Sequence, residues 1–180
     1  MIEKELKKLL DKEQYNLIKS NFALDKEIAQ TNHYYTDDNG ILSKNHITVR
    51  IREIEDIKLL QIKLPISFQN SLSISREIEH KMSEIPNDID THLFENLCSI
   101  KLERLKLLGT LTTFRAIYKQ DDTELCLDKN IYLGKLDFEL EIEYKDEPSP
   151  AIISKCNNLG ISFNTQSQGK FARFLKELHR

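Results

Sequence analysis

Several common structural devices are scarce in this chain. Of its 180 residues, five are glycine and four proline, which argues against a linker-rich or repeat architecture. The three cysteines, Cys98, Cys126 and Cys156, are an odd number without CxxC spacing. That argues against a disulfide framework and fits reduced thiols in a cytoplasmic protein. No apolar run approaches the roughly 18 residues that a membrane span needs. The N-terminus, Met1-Ile2-Glu3-Lys4-Glu5, is charged from its third residue on, unlike a signal peptide. The glycines show no phosphate-loop order, GxSxG is missing, and His33, His46, His80, His92 and His179 are scattered without metal-ligand spacing. Net charge is also small. Lys plus Arg number 26 against 29 Asp plus Glu, a formal charge of −3, whereas a bulk nucleic-acid binder is usually strongly basic.

What is present suits one folded domain over residues 1–180. Hydrophobic residues make up 39% and charged residues 31%, enough apolar material for a core without disulfides or metals. Residues 1–8 alternate with a period of two, Ile2 and Leu6 on one face and Glu3, Glu5 and Lys7 on the other. Asp11 with Gln14 forms an Asp-x-x-Gln capping box that predicts a helix to about Phe22. Strand patterns follow at 30–37, 46–54, 58–64, 74–82, 107–118, 124–129 and 131–144, with a short hairpin link at Glu55-Asp56 and a turn at Asp38-Asn39-Gly40. Helices are expected from near Asp90, from Pro148 and Pro150 to about Asn157, and from Lys170 to Leu178, the last with Phe171, Phe174, Leu175 and Leu178 on one face. Eight strands with mostly hairpin-length connections and about four helices make an α+β fold with a large antiparallel sheet.

The polar faces of these strands are charged in a clustered way. Alternation places Glu3, Glu5 and Lys7 together, then Arg50 with Arg52, Gln61 with Lys63, Glu77 with Glu79, Thr113 with Arg115, Asp128 with Cys126, and Glu139 with Glu141 and Glu143. Two arrangements satisfy the pattern. One is an open sheet with helices on its apolar face and water on its charged face. The other is a closed barrel, apolar faces outward under helices and charges lining the interior. Interior charges are costly unless paired or met by ligands, and a mixed lining meets that cost by taking up cations together with a polyanion. Glutamates at i and i+2 put two carboxylates within reach of one hard divalent cation. Arginines at the same spacing can fork onto phosphate oxygens.

These residues, in this order, resemble the CYTH superfamily, the triphosphate tunnel metalloenzymes. Glu3-Lys4-Glu5-Leu6-Lys7 matches its ExExK signature at the extreme N-terminus. Val49-Arg-Ile-Arg52, Gln61-Ile-Lys63, Arg76-Glu-Ile-Glu79, Thr112-Thr-Phe-Arg115, Leu127-Asp-Lys-Asn130 and Phe138-Glu-Leu-Glu-Ile-Glu143 follow in the family's order. Lys170 stands just ahead of the last helix, where the family carries a basic residue, and the segment after the signature is similar to the Gram-positive bacterial branch.

The resemblance implies an eight-stranded antiparallel β-barrel forming a closed tunnel with helices packed outside. It also implies Mg²⁺ or Mn²⁺ as cofactor and a small triphosphate-containing substrate. Under it, Glu3, Glu5, Glu77, Glu79, Glu139, Glu141 and Glu143 form the metal-facing set. Lys7, Arg50, Arg52, Lys63, Arg115 and Lys170 hold the triphosphate. Lys7, Lys63 and Asp128 take catalytic roles: Lys7 as a general base if cations flank it, Asp128 by fixing a basic neighbour or the water. Inorganic triphosphate is the first expected substrate. Adenylate cyclase-like activity, thiamine triphosphatase activity with Tyr34, Tyr35 or Phe68 as aromatic clamp, and a non-catalytic polyphosphate or nucleotide sensor are the alternatives. Cys126 is expected as a small polar filler. A monomer or homodimer is expected, with neither nucleic acid nor membrane as partner.

Overall fold

The computed structural model describes residues 1–25, 27–165 and 167–180. Its strands are β1 (Ile2–Leu10), β2 (Ile28–Thr36), β3 (Thr48–Ile54), β4 (Ile57–Gln69), β5 (Leu72–Met82), β6 (Lys106–Gln120), β7 (Thr123–Tyr132) and β8 (Lys135–Tyr144). Its helices are α1 (Lys12–Asn21), α2 (Ile41–Lys44), α3 (Thr91–Cys98), α4 (Pro150–Asn158) and α5 (Lys170–Leu178). The strands close into a barrel in the order β1-β5-β4-β3-β2-β6-β7-β8, with β8 returning to β1. Every pairing is antiparallel. Of the two arrangements the alternation allows, the closed one is found. Hairpins join β2 through β5 and β6 through β8, and β1 bridges the two sets by pairing with both β5 and β8.

The apolar strand faces point outward, under helices. Leu125, Leu127, Leu140 and Ile142 of β7 and β8 are buried against Tyr15 and Ile18 of α1 and Ile152 and Cys156 of α4. Val49, Ile51, Leu60 and Ile62 of β3 and β4 are buried with Leu42 of α2 and Phe94 of α3. The α1 start is a reciprocal capping box: Gln14 N donates to Asp11 Oδ1 at 2.8 Å and Asp11 N donates to Gln14 Oε1 at 3.1 Å. None of the described helices is long and apolar enough to cross a membrane, and all three cysteines are free thiols.

Three local features differ from the sequence expectation. The break between the last two strands lies at Leu133-Gly134, not at Asn130. Both turn residues have positive φ, 45° and 76°, the conformation that lets a two-residue turn follow the strand twist. Ile41–Lys44 forms a short helix the periodicity did not reveal, because one turn is too short to show a period. Asp37 starts it, its carboxylate accepting from Ile41 N at 2.7 Å and Leu42 N at 2.9 Å. Finally, α5 buries a mixed face, Lys170, Arg173 and Phe174, rather than the all-apolar stripe of Phe171, Phe174, Leu175 and Leu178. It packs on inward-pointing residues at one end of the barrel, where Phe174 meets Tyr34, Leu111 and Tyr132. Gly109 makes room for it, since a Cβ there would stand 2.7 Å from the Phe174 ring.

Candidate active site

Inward positions of the strands surround one cavity of about 840 Å³. Glu3, Glu5, Lys7, Arg50, Arg52 and Lys63 line it, with Glu77, Glu79, Arg115, Glu141, Glu143 and Lys170. The register explains the convergence. Glu5 pairs with Glu143 and Lys7 with Glu141 across β1–β8, while Lys63 pairs with Glu77 and Gln61 with Glu79 across β4–β5. Asp128 and Glu139 also point inward but are fully buried and do not line the cavity.

Within this ring the charges fall into three groups. The first is basic and uncompensated. Arg50 Nε donates to the Gln61 side-chain carbonyl at 2.9 Å, and Arg52 Nε donates to that of Asn32 at 3.2 Å. Both guanidiniums are thus oriented by neutral amides, and neither has a carboxylate ion-pair partner among the described residues. Burial, then the neighbouring Arg50 and Arg115, pull the Arg52 guanidinium down to about 10. A bound polyanion would relieve that repulsion. Glu79 acts in this group through Gln61, whose amide donates to it at 2.5 Å.

The second group is acidic. Glu3 hydrogen-bonds Lys63, Glu5 lies 3.0 Å from the same ammonium and Glu77 lies 3.6 Å from it. Two ammoniums, Lys63 and Lys7, face these three carboxylates. Burial resists ionisation of Glu5, but Lys7 at 2.7 Å and Lys63 outweigh it and lower its carboxyl to about 2. Glu3 goes the other way: burial, helped by Glu5 and Glu77, raises it to about 7 despite Lys63. One buried oxygen of Glu77 has no hydrogen-bond donor among the described residues. Lys63 itself, though buried, is held above the ordinary lysine range by Glu5, Glu3 and Glu77. Lys7 has a carboxylate neighbour where the base role required cations.

The third group is a compensated network under α5. Lys170 Nζ sits 2.8 Å from Asp128 and 2.7 Å from both Glu139 and Glu141. Arg115 forks onto Asp128 at 2.8 and 2.7 Å, donates to Glu143 at 3.0 Å and hydrogen-bonds Glu141. Arg173 pairs with Asp137 at 2.9 Å and Glu139 at 3.1 Å. Asp128 thus pairs with two basic side chains, Arg115 and Lys170. Glu139, assigned to the metal-facing set, is instead shut behind Lys170 and Arg173. Arg173 and Asp137 were not anticipated. The signal available for Arg173 was its i+3 spacing from Lys170, which puts both on one helix face.

Among the described residues two tight groups of metal-capable side chains result: Asp128, Glu139 and Glu141, and Glu124, Cys126 and Glu143, each with ligand atoms within 4.8 Å of one another. Lys170 fills the first. The second mixes carboxylates with a thiol whose ionisation burial strongly opposes, a poorer match to a hard cation. The Glu3, Glu5 and Glu77 group offers only oxygen donors, the ligand type that hard divalent cations take, around the Lys63 ammonium.

Comparison with known proteins agrees with this geometry. The CYTH domain matches residues 1–167. A Bacillus subtilis (strain 168) protein named "Putative triphosphatase YjbK" is 29% identical over 98% of this chain and 95% of its own. A Bacillus halodurans crystal structure described as a putative adenylate cyclase is 27% identical, covers 94% of this chain and 95% of its own, and superposes with a TM-score of 0.73. Hippeastrum HpAC1, 20% identical over 97% of this chain and 95% of its own with a TM-score of 0.77, shares the fold. The match over 1–167, together with the closed barrel and its charged lumen, shows that the chain belongs to the CYTH family of triphosphate tunnel metalloenzymes.

Proposed function

We propose that the protein is a divalent-metal-dependent hydrolase of a small triphosphate, inorganic triphosphate first. The observation that carries this reading is the separation of charge within one cavity. Among the described residues Arg50 and Arg52 have no carboxylate partner on one wall, while Glu3, Glu5 and Glu77 outnumber the ammoniums of Lys63 and Lys7 on another. A polyanion and a cation entering together neutralise both walls.

In this mechanism Arg50 and Arg52, preset by Gln61 and Asn32, hold phosphoryl oxygens. Lys63, kept protonated by its carboxylates, adds a fixed positive charge beside them, and positioning and charge account for most of the barrier reduction in such reactions. Glu3, Glu5 and Glu77 would hold Mg²⁺ or Mn²⁺, which when bound neutralises phosphoryl charge and acidifies water. Glu143, whose carboxyl burial raises above the ordinary range, lines the same cavity and is the group we assign to take a proton from the attacking water. The name of the Bacillus subtilis relative points to the same class of reaction.

The test gives purified protein tripolyphosphate, ATP or thiamine triphosphate with Mg²⁺ or Mn²⁺ and follows phosphate and cyclic AMP. Phosphate release fastest from tripolyphosphate is expected. Cyclic AMP from ATP would replace the hydrolase reading by a cyclase, phosphate chiefly from thiamine triphosphate would move the substrate, and binding without product would leave a sensor.

A further inference from the structure

Strand β2 turns three polar side chains inward at alternate positions, Gln30, Asn32 and Tyr34. Each carries a buried donor without a hydrogen-bond partner among the described residues: Gln30 Nε2, Asn32 Nδ2 and the Tyr34 hydroxyl. Leaving a buried donor unmet costs a protein on the order of 1–3 kcal/mol. Three in a row on one strand is therefore a feature to be accounted for. Of the three residues, Tyr34 lines the cavity. It stands directly across the β2–β3 ladder from Arg50, and Asn32 stands across from Arg52. The unmet donors thus share a wall with the two uncompensated guanidiniums.

The Tyr34 ring is clamped. It is fully buried, with Phe171 at 4.7 Å and Phe174 at 5.4 Å between ring centroids, both from α5. A hydroxyl on a ring already immobilised loses little further freedom when it engages a ligand. A donor with no partner among the described residues, on a residue across the ladder from the Arg50 cation, matches an oxyanion.

We infer that Tyr34 is a further substrate-binding residue, its hydroxyl donating to a phosphoryl oxygen of the triphosphate held by Arg50 and Arg52. This rests on the triphosphate reading above. It adds that α5 helps build the anion site by holding the Tyr34 ring with Phe171 and Phe174.

The test is Tyr34→Phe, which keeps the ring and removes only the hydroxyl. Tripolyphosphate affinity is measured by calorimetry on wild type and variant, and turnover with Mn²⁺ is followed separately. A loss of about tenfold in affinity is expected, with a melting temperature of the ligand-free variant no lower than wild type, because the ring contacts remain. Equal affinities would overturn the inference, as would an affinity loss matched by a fall in the melting temperature of Tyr34→Phe, since the role would then be packing alone. Wild type that binds tripolyphosphate without hydrolysing it would overturn the hydrolase reading and leave the contact to be judged by the affinity ratio. Wild type that binds none of it would overturn both.

Discussion

Lys170 Nζ lies 2.7 Å from a carboxylate oxygen of Glu141, and both side chains are buried where α5 meets the barrel. The same ammonium reaches Asp128 and Glu139. Burial disfavours a charged lysine, but the three carboxylates outweigh it and hold Lys170 well above the ordinary range. A side chain from the last helix thus takes the place of a cation in one of the two tight acidic groups, and the same contacts tie that helix to the lumen.

Lys170→Met is expected to destabilise the protein by about 3–5 kcal/mol, because it strands buried carboxylates. Mn²⁺ should recover more stability in the variant than in wild type by occupying the vacated position. Urea denaturation with and without Mn²⁺ measures both effects. Equal Mn²⁺ stabilisation of the two proteins would count against this account of the acidic group.

The raised carboxyl of Glu3 predicts an unusual pH dependence for the metal-free protein. Unfolded, Glu3 titrates near 4.5; folded, near 7. Between those values the folded chain holds a proton the unfolded chain has released, so this contribution grows as pH falls from about 7 toward 4.5 and is lost as pH rises through about 7. Glu143, also raised, acts in the same direction. Melting curves in chelator should therefore show a gain in stability on mild acidification, and Glu3→Gln should flatten it. An identical pH slope in the variant would refute the assignment.

Arg52→Lys keeps the charge and loses the planar fork. KM for tripolyphosphate should rise about tenfold with a smaller change in kcat. Gln61→Leu should move KM in the same direction, by freeing Arg50 from the amide that orients it. Michaelis curves with saturating Mn²⁺ separate these effects, and an unaltered KM in both variants would exclude the basic pair from substrate binding.

Glu5→Gln removes a carboxylate that two lysines hold ionised. Metal-dependent turnover should drop by on the order of a hundredfold or more, with circular dichroism unchanged. Retention of wild-type rates at limiting Mn²⁺ would show that the cation is held elsewhere.

Strand alternation was enough to decide which residues share a face. The period of two separated Glu3, Glu5 and Lys7 from Ile2 and Leu6, and the same rule assigned Arg50, Arg52, Lys63, Glu77 and Glu141 to polar faces before any pairing was known. The Asp11–Gln14 cap was equally legible, because both partners lie within one turn. Alternation holds equally for an open sheet, so closure was not decided by pattern. It depends on β1 finding β5 on one side and β8 on the other, a pairing made across more than 60 residues of chain on each side. Nor did spacing along the chain show how charges would combine once inside. That Arg50 and Arg52 are oriented by neutral amides, that Glu139 is sealed behind Lys170 and Arg173, and that the Tyr34 hydroxyl has no partner among the described residues all follow from cross-strand register and the docking of α5. The sequence by itself determined the local period and therefore the sign of charge each strand offers the lumen. Only the tertiary structure decided which charges are compensated, because Coulombic pairing and desolvation depend on distances between residues far apart in the chain.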